Sequence, residues 1–436
     1  MKNMDMRNNI FLKTFGCQMN EYDSELIRSI LSEKGYTFTE SEQEADIIML
    51  NTCSVRETAS RKIIELVNFL RHQLNGKPTL IGILGCMATD QKLNLLGKKS
   101  KVDFIAGPDS YQKLPELIEI AKTKKQSFDF ELSKEIDYDG IYPTRKKGVN
   151  AWLAIMRGCD NFCTFCIVPY TRGRERSRSP QSILKEARKL AAEGFPQVTL
   201  LGQNVNSYHA GDYNFPRLIK EVSAIKGIKR IRFMSPNPKD FPNALVETIA
   251  SSDNICKHVH LPLQSGSSRI LDLMNRTYSK ENFLTLVSQI RKTCPNIAIT
   301  TDIIVGFPTE TDEDFVETLD VLKKVRFDAA FTFKYSQRSG TIAQKKFKDD
   351  ISPDVKKERI IALNKIQRNI SLEENQKCIG KTVEALVEEE GTEKECRGRT
   401  DSFKIVSFNE KRAVGDFVKI KIHDASFFGL RGKLVD

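Results

Sequence analysis

Three cysteines lie within eight residues of the sequence, at Cys159, Cys163 and Cys166. In a Cys-x3-Cys-x2-Cys loop, three thiolates can converge on one small centre. A structural zinc site takes four protein ligands, usually from two separated pairs, and no matching second pair of cysteines is nearby. Three cysteines can instead hold a 4Fe–4S cluster whose fourth iron is open to a ligand that is not protein. The polar residues in CDNFCTFC argue against three cysteines of an apolar core.

Three other cysteines come earlier in the chain, at Cys17, Cys53 and Cys86; they are called the first set, and Cys159, Cys163 and Cys166 are called the second set. Each follows an apolar stretch that predicts a strand, in IFLKTFGC, DIIMLNTC and TLIGILGC. Helical patterns follow the first two, so three parallel strands would deliver three thiols to one rim of an open sheet, where such sheets bind ligands. A single cysteine at a strand end is commonly buried and inert, but three at the same structural position predict a shared cluster. No fourth ligand is visible, so this cluster would also have an open iron.

The elements that must position these cysteines alternate between strand and helix. The region around the first set predicts an open α/β domain of the Rossmann or flavodoxin-like type. After the second set, SPQSILKEARKLAAEGF predicts a helix, and QVTLLGQN, KRIRFMS, KHVHLPLQSGS, IAITTDIIVGFP and AAFTFKYS predict strands with helices between them. This alternation predicts a partial (β/α) barrel whose active site lies at the carboxyl ends of its strands.

From about Cys378 the pattern changes to short strands with frequent glycines, which predicts a small OB-like β-barrel of a size that binds RNA loops. Residues 378–436 contain 11 Lys plus Arg and 11 Asp plus Glu, so RNA affinity would need one basic face. The candidates for that basic face are Arg397, Arg399, Lys404, Lys419 and Lys421. The candidates for stacking on bases are Phe403, Phe408 and Phe427, which could alternatively belong to the core of the barrel. The other four cysteines, Cys256, Cys294, Cys378 and Cys396, fit no pattern and are predicted to be structural.

The predicted organisation is an N-terminal domain at 8–126, a linker at 127–147, a central domain at 148–375 and a C-terminal barrel at 378–436. The net charge of +11 over 436 residues is compatible with a polyanionic partner, and RGRERSR and KKVRF are candidate contacts or solvated faces. No apolar run approaches the ~18 residues of a membrane span. The N-terminal residues show no signal peptide, and unpaired cysteines suit a reducing compartment, so a cytoplasmic protein is expected.

RGCDNFCTFC resembles the signature of the radical S-adenosylmethionine (SAM) superfamily. Nearly the whole chain resembles the methylthiotransferase family of that superfamily. The motifs that carry this resemblance are TFGCQMNEYDSE, NTCSVRE, GCMA, LLGQNVNSY, HLPLQSGSSRILDLMNR, GFPTETDEDF and YSQRSGT. GCQMNEYDSE with NTCSVRE resembles the tRNA-modifying MiaB branch, and the C-terminal barrel resembles a TRAM domain. FMSPNP departs from relatives, which often have His in place of Asn237.

The resemblance implies SAM and two 4Fe–4S clusters as cofactors. Cys159, Cys163 and Cys166 would hold the cluster that cleaves SAM, and Cys17, Cys53 and Cys86 the cluster that carries sulfur. Six residues resemble the SAM contacts of the superfamily: Phe165, Gln203, Asn204, Ser235, Gln264 and Gly306. The alternative for these residues is an ordinary role in the core or in a turn.

The implied reaction is radical methylthiolation at C2 of N6-isopentenyladenosine beside the anticodon of tRNA. The implied partners are the tRNA anticodon stem-loop and a reducing electron donor such as flavodoxin or ferredoxin, with a monomeric chain and no membrane. The alternatives are the same chemistry on threonylcarbamoyl-adenosine in tRNA or on an aspartate of a ribosomal protein. A protein of another class, a non-catalytic Fe–S or zinc-containing RNA-binding protein, is a further alternative.

Overall fold

The computed structural model describes residues 8–54, 57–74, 77–97, 100–135, 138–390 and 395–435. Its contacts divide the chain into two compact units. Unit 1 comprises Met1–Lys146, Ala154–Phe162 and Cys166–Ser182, and unit 2 comprises Lys147–Leu153, Cys163–Phe165 and Ile183–Asp436. The domain boundaries at 126, 148, 375 and 378 stay a prediction, because these units are defined by contacts alone.

The strands of the described residues are numbered in chain order. They are β1 (Asn9–Phe15), β2 (Thr37–Phe38), β3 (Ile47–Thr52), β4 (Leu80–Gly85), β5 (Phe104–Ala106), β6 (Ser127–Asp129), β7 (Asn150–Ala154), β8 (Met156–Arg157), β9 (Arg176–Ser177), β10 (Gln197–Leu201), β11 (His209–Ala210), β12 (Tyr213–Asn214), β13 (Arg230–Phe233), β14 (His258–His260), β15 (Ala298–Val305), β16 (Ala329–Lys334), β17 (Thr382–Glu389), β18 (Cys396–Thr400), β19 (Ile405–Phe408), β20 (Phe417–Ala425) and β21 (Leu430–Val435).

The α-helices are numbered in the same way. They are α1 (Gln18–Glu33), α2 (Glu57–Gln73), α3 (Cys86–Asp90), α4 (Lys92–Leu95), α5 (Leu114–Lys122), α6 (Val168–Arg172), α7 (Pro180–Ala192), α8 (Phe215–Ser223), α9 (Asn243–Ser251), α10 (Ser268–Leu273), α11 (Lys280–Thr293), α12 (Asp312–Val325), α13 (Ile342–Lys346) and α14 (Pro353–Gln376).

Unit 1 contains a six-stranded parallel sheet with the order β2-β1-β3-β4-β5-β6. All six residues of β3, IIMLNT, are buried, as expected for a parallel strand covered on both faces. Ile47 and Met49 pack in one hydrophobic cluster, whereas Ile48 and Leu50 pack in another. Alternate side chains therefore fill the cores on the two faces of the sheet, which is the open α/β arrangement predicted from the sequence.

Unit 2 contains two three-stranded sheets, with the orders β13-β10-β7 and β14-β15-β16. The pairs β10–β13, β14–β15 and β15–β16 are parallel, and a parallel bridge between Ile231 and Ile255 continues the hydrogen bonding from β13 towards β14. Helices α8, α9, α11 and α12 alternate with these strands. This is the strand–helix alternation that the sequence predicts for a partial barrel.

The C-terminal strands of unit 2 form a closed five-stranded barrel, β17-β18-β19-β21-β20, as predicted. Phe408 is fully buried in the barrel core, so it cannot stack on a base. Phe403 stacks on His258, with 4.6 Å between ring centroids, and Lys404 Nζ lies 2.6 Å from Asp328 Oδ1. The contacts of these three candidate RNA-binding residues are therefore structural.

Arg399 is also held by protein groups, because it forms an ion pair with Glu388. Arg397, Lys419 and Lys421 are exposed and stay candidates for RNA contact. Phe427 lies against Phe428 and beneath the guanidinium of Arg368.

Candidate functional site

The first set of cysteines lies at the carboxyl edge of the sheet in unit 1. Cys17 separates β1 from α1, Cys53 directly follows β3, and Cys86 is the first residue of α3 after β4. Since β1, β3 and β4 are neighbouring parallel strands, all three residues sit at the same edge, as the sequence predicts. The strand order reverses between β1 and β3, and open α/β sheets bind ligands at such a switch point.

Glycine brings Cys17 and Cys53 close together. Gly16 has a φ of +138°, and a Cβ atom built on it would lie 2.4 Å from the Cβ of Cys53. Real Cβ atoms do not approach this closely, so a side chain at position 16 would push the end of β1 away from Cys53.

The thiols of this set differ in their pKa values. A hydrogen bond with Cys53 is the largest influence on Cys17 and, helped by the charge of Arg172, lowers the pKa of the Cys17 thiol to about 6. Burial raises the pKa of the Cys86 thiol, and the charge of Arg172 opposes this. Arg172 Nε lies 3.1 Å from Cys86 Sγ, to which it donates a hydrogen bond.

Beneath the cysteines lies an ion triad that is buried from solvent. The carboxylate of Asp23 accepts hydrogen bonds from Arg157 Nη2 at 2.6 Å and from Arg172 Nη2 at 2.9 Å. Tyr111 donates a third hydrogen bond to the same carboxylate at 3.3 Å. Burial lowers the pKa of Arg172, but the neighbouring charges of Cys86 and Asp23 raise it well above its usual value, so the guanidinium stays charged.

Two amide side chains, Asn20 and Asn51, add further hydrogen bonds next to the cysteines. In its protonated form the Cys17 thiol donates to Asn20 Oδ1 at 3.2 Å, and Asn20 Nδ2 donates to Asn51 Oδ1 at 3.1 Å. Asn51 Nδ2 donates in turn to the carbonyl of Asn20 and to Ser24 Oγ, both at 2.9 Å. These hydrogen bonds fix α1 against β3 next to the thiols. Val55 and Arg56 of the NTCSVRE motif lie outside the described residues.

The second set of cysteines lies in the loop that connects β8 to α6. Cys159 and Cys163 are buried, and Cys166 is half-buried. In unit 1, Asn161 Nδ2 donates to Cys159 Sγ at 3.4 Å. In unit 2, the buried Arg276 donates from Nη1 to Cys163 Sγ at 3.3 Å and from Nε to Tyr278 Oη at 3.0 Å.

None of the ten cysteines forms a disulfide bond. Among the described residues, no three His, Cys, Asp or Glu side chains are close enough to hold a single metal ion. The thiolates that bind three different irons of one cubane stand farther apart than the ligands of a single ion. The donors of the first set are three cysteines, of which Cys86 contacts the buried Arg172, and this donor set fits a cluster better than a zinc ion.

The residues predicted to contact SAM all belong to unit 2, and five of them follow its strands. Gln203 and Asn204 come after β10, Ser235 after β13, Gln264 after β14 and Gly306 after β15.

These residues share unusual backbone conformations or buried polar contacts. Ser235, Gln264 and Gly306 have positive φ values, of 60°, 67° and 70°. Asn204 is buried, and its Nδ2 donates to Asp240 Oδ2 at 2.9 Å. Phe165 packs against a hydrophobic cluster that includes Met274 and Phe307. The carboxyl ends of the strands therefore present these residues where a ligand would bind, but their ligand contacts stay a prediction.

Sequence reasoning did not identify Asp23, Arg157, Arg172 or Arg276 as parts of these sites. Asp23 could have been found, because Asn20, Asp23 and Ser24 are polar residues on one face of α1 beside Cys17. The arginines gave no such signal. The segment RGRERSR was a candidate basic face, yet its arginines at 172, 176 and 178 are buried and paired with Asp23, Asp109 and Asp139.

Three domain families match the sequence. Residues 153–322 match the Radical SAM superfamily, residues 9–107 match the Uncharacterized protein family UPF0004, and residues 376–435 match the TRAM domain. The chain is thus a radical SAM enzyme that carries a TRAM domain. Membership of this superfamily implies SAM and a 4Fe–4S cluster as cofactors.

Curated relatives define the family more closely. A tRNA-2-methylthio-N(6)-dimethylallyladenosine synthase from Chloroherpeton thalassium is 47% identical over 97% of this chain and 95% of the relative. A relative of the same name from Bacteroides thetaiotaomicron is 44% identical over 99% of this chain and 97% of its own length. Another from Acetivibrio thermocellus is 45% identical over 97% of this chain and 90% of its own length. The chain belongs to the family of tRNA-2-methylthio-N(6)-dimethylallyladenosine synthases, which are radical SAM methylthiotransferases.

Solved structures support the fold. The radical SAM methyltransferase TsrM from Kitasatospora setae, with cobalamin and a [4Fe-4S] cluster bound, has a TM-score of 0.59 and 13% identity over 78% of this chain and 77% of TsrM. The same enzyme with tryptophan and a SAM analogue has a TM-score of 0.56 and 13% identity, over 74% and 72%. No helix among the described residues is long and apolar enough to cross a membrane.

Proposed function

We propose that this chain attaches a methylthio group to C2 of N6-isopentenyladenosine beside the anticodon of tRNA and consumes two SAM molecules for each modification. One observation carries the proposal: relatives named for this reaction are 42–47% identical to nearly the whole chain. The TRAM domain supports an RNA substrate. The rival substrates, threonylcarbamoyl-adenosine and a ribosomal protein aspartate, are not favoured by these relatives. A non-catalytic RNA-binding role is not favoured either.

The chemistry of the substrate explains why a radical enzyme is required. The C2–H bond of the adenine is unactivated and has no useful acidity, so a general base cannot remove its proton at a useful rate. When bound, a 4Fe–4S cluster together with SAM would supply a carbon radical able to abstract the hydrogen atom, at the cost of one electron from the reducing partner. The protein has to bind the cofactors, orient the base and exclude water from the radical.

Six cysteines would hold the two clusters. We assign Cys159, Cys163 and Cys166 to the cluster that binds SAM, and the earlier set to the cluster that carries the sulfur. The earlier set is supported by its shared position at the ends of β1, β3 and β4 and by the contact between Arg172 and Cys86.

We assign SAM binding to the predicted residues of unit 2. Phe165 would pack against the adenine, and the strand-end residues Gln203, Asn204, Ser235, Gln264 and Gly306 would contact the rest of the cofactor. Their common position at the carboxyl ends of parallel strands supports this assignment.

The proposed function also includes a cellular location and an electron donor. We expect a monomer in the cytoplasm that receives electrons from a flavodoxin or a ferredoxin. Ten cysteines without a disulfide bond suit a reducing compartment. The target adenine would have to leave the anticodon stack, which costs a few kcal/mol and less in a loop than in a duplex.

The substrate can be tested with the reconstituted, anaerobic enzyme, SAM and a chemical reductant. The three substrates to compare are tRNA carrying N6-isopentenyladenosine, tRNA carrying threonylcarbamoyl-adenosine, and the ribosomal protein with its target aspartate. Mass spectrometry of nucleosides and peptides should find the methylthio group only on the first. Activity confined to either of the others would reject the proposed substrate, and failure to form 5′-deoxyadenosine with every substrate would reject radical chemistry.

A further inference from the structure

Arg172 connects the segment after the second cysteine set to the first set. It is the last residue of α6 and follows Cys166 by six residues, inside the part of the sequence that matches the Radical SAM superfamily. Asp23 and Cys86 belong to the part that matches the other family. All three residues nevertheless lie in unit 1, where Arg172 donates to both Cys86 Sγ and Asp23 Oδ2.

The ion triad does not balance its own charge. Arg157 and Arg172 contribute two positive charges and Asp23 contributes one negative charge, so one positive charge is left over. A buried charge without a counter-charge is strongly unfavourable. Three thiolates outweigh the positive charge of an oxidised cubane core, so a cluster held by cysteines is an anion. A cluster on Cys17, Cys53 and Cys86 would place negative charge beside this surplus positive charge.

Arg172 also has a buried hydrogen-bond donor without an acceptor among the described residues. This donor is its Nη1, and the same is true of Nη1 of Arg157. Buried donors in native proteins are nearly always satisfied, so this nitrogen calls for an acceptor that the described residues do not provide. Sulfur atoms of a cluster accept hydrogen bonds, and such bonds change the reduction potential of the cluster.

We infer that Arg172 is a positioning residue that holds Cys86 for the cluster of the first set and raises the reduction potential of that cluster. This inference rests on the proposed function, because it requires a cluster on Cys17, Cys53 and Cys86. Reduction adds a negative charge, and a fixed positive charge at hydrogen-bond distance from a ligand sulfur stabilises the reduced state more than the oxidised state. Arg172 therefore makes the cluster easier to reduce.

Arg157 provides a matched control. It shares the carboxylate of Asp23 and is equally buried, but it donates to no cysteine among the described residues. Replacing either arginine removes one positive charge and one hydrogen bond from the triad. Only replacement of Arg172 also removes a hydrogen bond to a cysteine.

The experiment uses the full-length chain with Cys159→Ala, Cys163→Ala and Cys166→Ala, which leaves the first set as the cluster site. Iron and sulfide analysis first establishes whether this protein binds one cluster; a protein without iron would reject the cluster on the first set and with it the role of Arg172, whereas in a protein that does bind the cluster the potential tests the role of Arg172 alone. Arg172→Gln and Arg157→Gln are then added separately. The reduction potential is measured from the EPR signal of the reduced cluster during a redox titration.

Arg172→Gln should shift the potential to a more negative value, by clearly more than Arg157→Gln does. Equal shifts, or no shift with Arg172→Gln, would overturn the inference. Should Arg172→Gln bind no iron, Arg172→Lys and Arg157→Lys replace the pair. Lysine keeps the charge but loses the Nε donor, so Arg172→Lys should give a smaller shift in the same direction, and an unchanged potential would overturn the role of the hydrogen bond.

Discussion

The two cysteine sets differ in how the chain positions them. The ligands of the first set come from three strand ends separated by more than thirty residues each, whereas those of the second set lie in one loop of eight residues. Positions in the first set depend on the register of the whole parallel sheet in unit 1. The spacing of the second set is encoded locally, which is why the sequence alone made it conspicuous.

Each set has a buried arginine that donates to one sulfur, but the two arginines differ in their other partners. Arg172 binds the carboxylate of Asp23. Arg276 donates to Tyr278 Oη, the carbonyl of Pro262 and Asn237 Oδ1, and no carboxylate contacts it within the described part of unit 2. The charge of Arg172 is thus partly compensated by the protein, while that of Arg276 depends on the sulfur ligands. Asn237 is one of these neutral partners.

The largest expected effect separates the chemical roles of the two sets. Cys17→Ala should reduce methylthiolated tRNA to background while 5′-deoxyadenosine is still formed, and Cys159→Ala should abolish both products. The reason is that, in the proposed assignment, SAM cleavage would need only the cluster of the second set. Nucleoside mass spectrometry and chromatography of 5′-deoxyadenosine measure the two outcomes. Normal methylthiolation by Cys17→Ala would show that the two sets do not divide the work.

The next effect concerns the ion triad under the first set. Asp23→Asn should destabilise unit 1 by about 3–5 kcal/mol, because it leaves two buried guanidinium groups without their carboxylate. Thermal unfolding of the apoprotein measures this change. The control is Glu40→Gln, which breaks the exposed ion pair with Lys146 and should leave the unfolding midpoint unchanged. Equal midpoints for the two variants would contradict a structural role for the triad.

The cysteines at the strand ends could be predicted because local patterns specify them. Apolar runs ending in Gly-Cys mark the exits of β1 and β4, and parallel pairing brings those exits to one edge. The arginine pairs could not be predicted, since Arg172 and Asp23 are 149 residues apart in the sequence. A run of alternating arginines looks the same whether it faces solvent or buried carboxylates. The same limit applies to Lys404, which pairs with Asp328.

A smaller effect tests the difference between the two arginines. Arg276→Met should destabilise the cluster-loaded protein more than the apoprotein, by about 1–2 kcal/mol, because only the anionic cluster compensates the charge of Arg276. Arg172→Met should destabilise both forms, since Asp23 loses a partner in either case. Thermal unfolding of both variants, with and without iron, provides the comparison. An identical effect of Arg276→Met on the two forms would mean that protein groups already compensate its charge.

The smallest effect lies within the first set and appears as a pH dependence in the apoprotein. Because the hydrogen bond with Cys53 and the charge of Arg172 lower the pKa of Cys17 to about 6, this residue is a thiolate above that pH. Its alkylation by iodoacetamide should rise with pH and level off above about 6, whereas the buried Cys86, whose pKa is raised, should stay unreactive at neutral pH. Peptide mass spectrometry follows both sites.

In Cys53→Ala the midpoint of the Cys17 alkylation curve should move to a higher pH, towards the ordinary pKa of a thiol. A midpoint that stays near 6 in that variant would assign the lowered pKa to Arg172 and to the backbone hydrogen bonds of Met19 and Asn20, and the first set would then resemble the second in relying on its arginine.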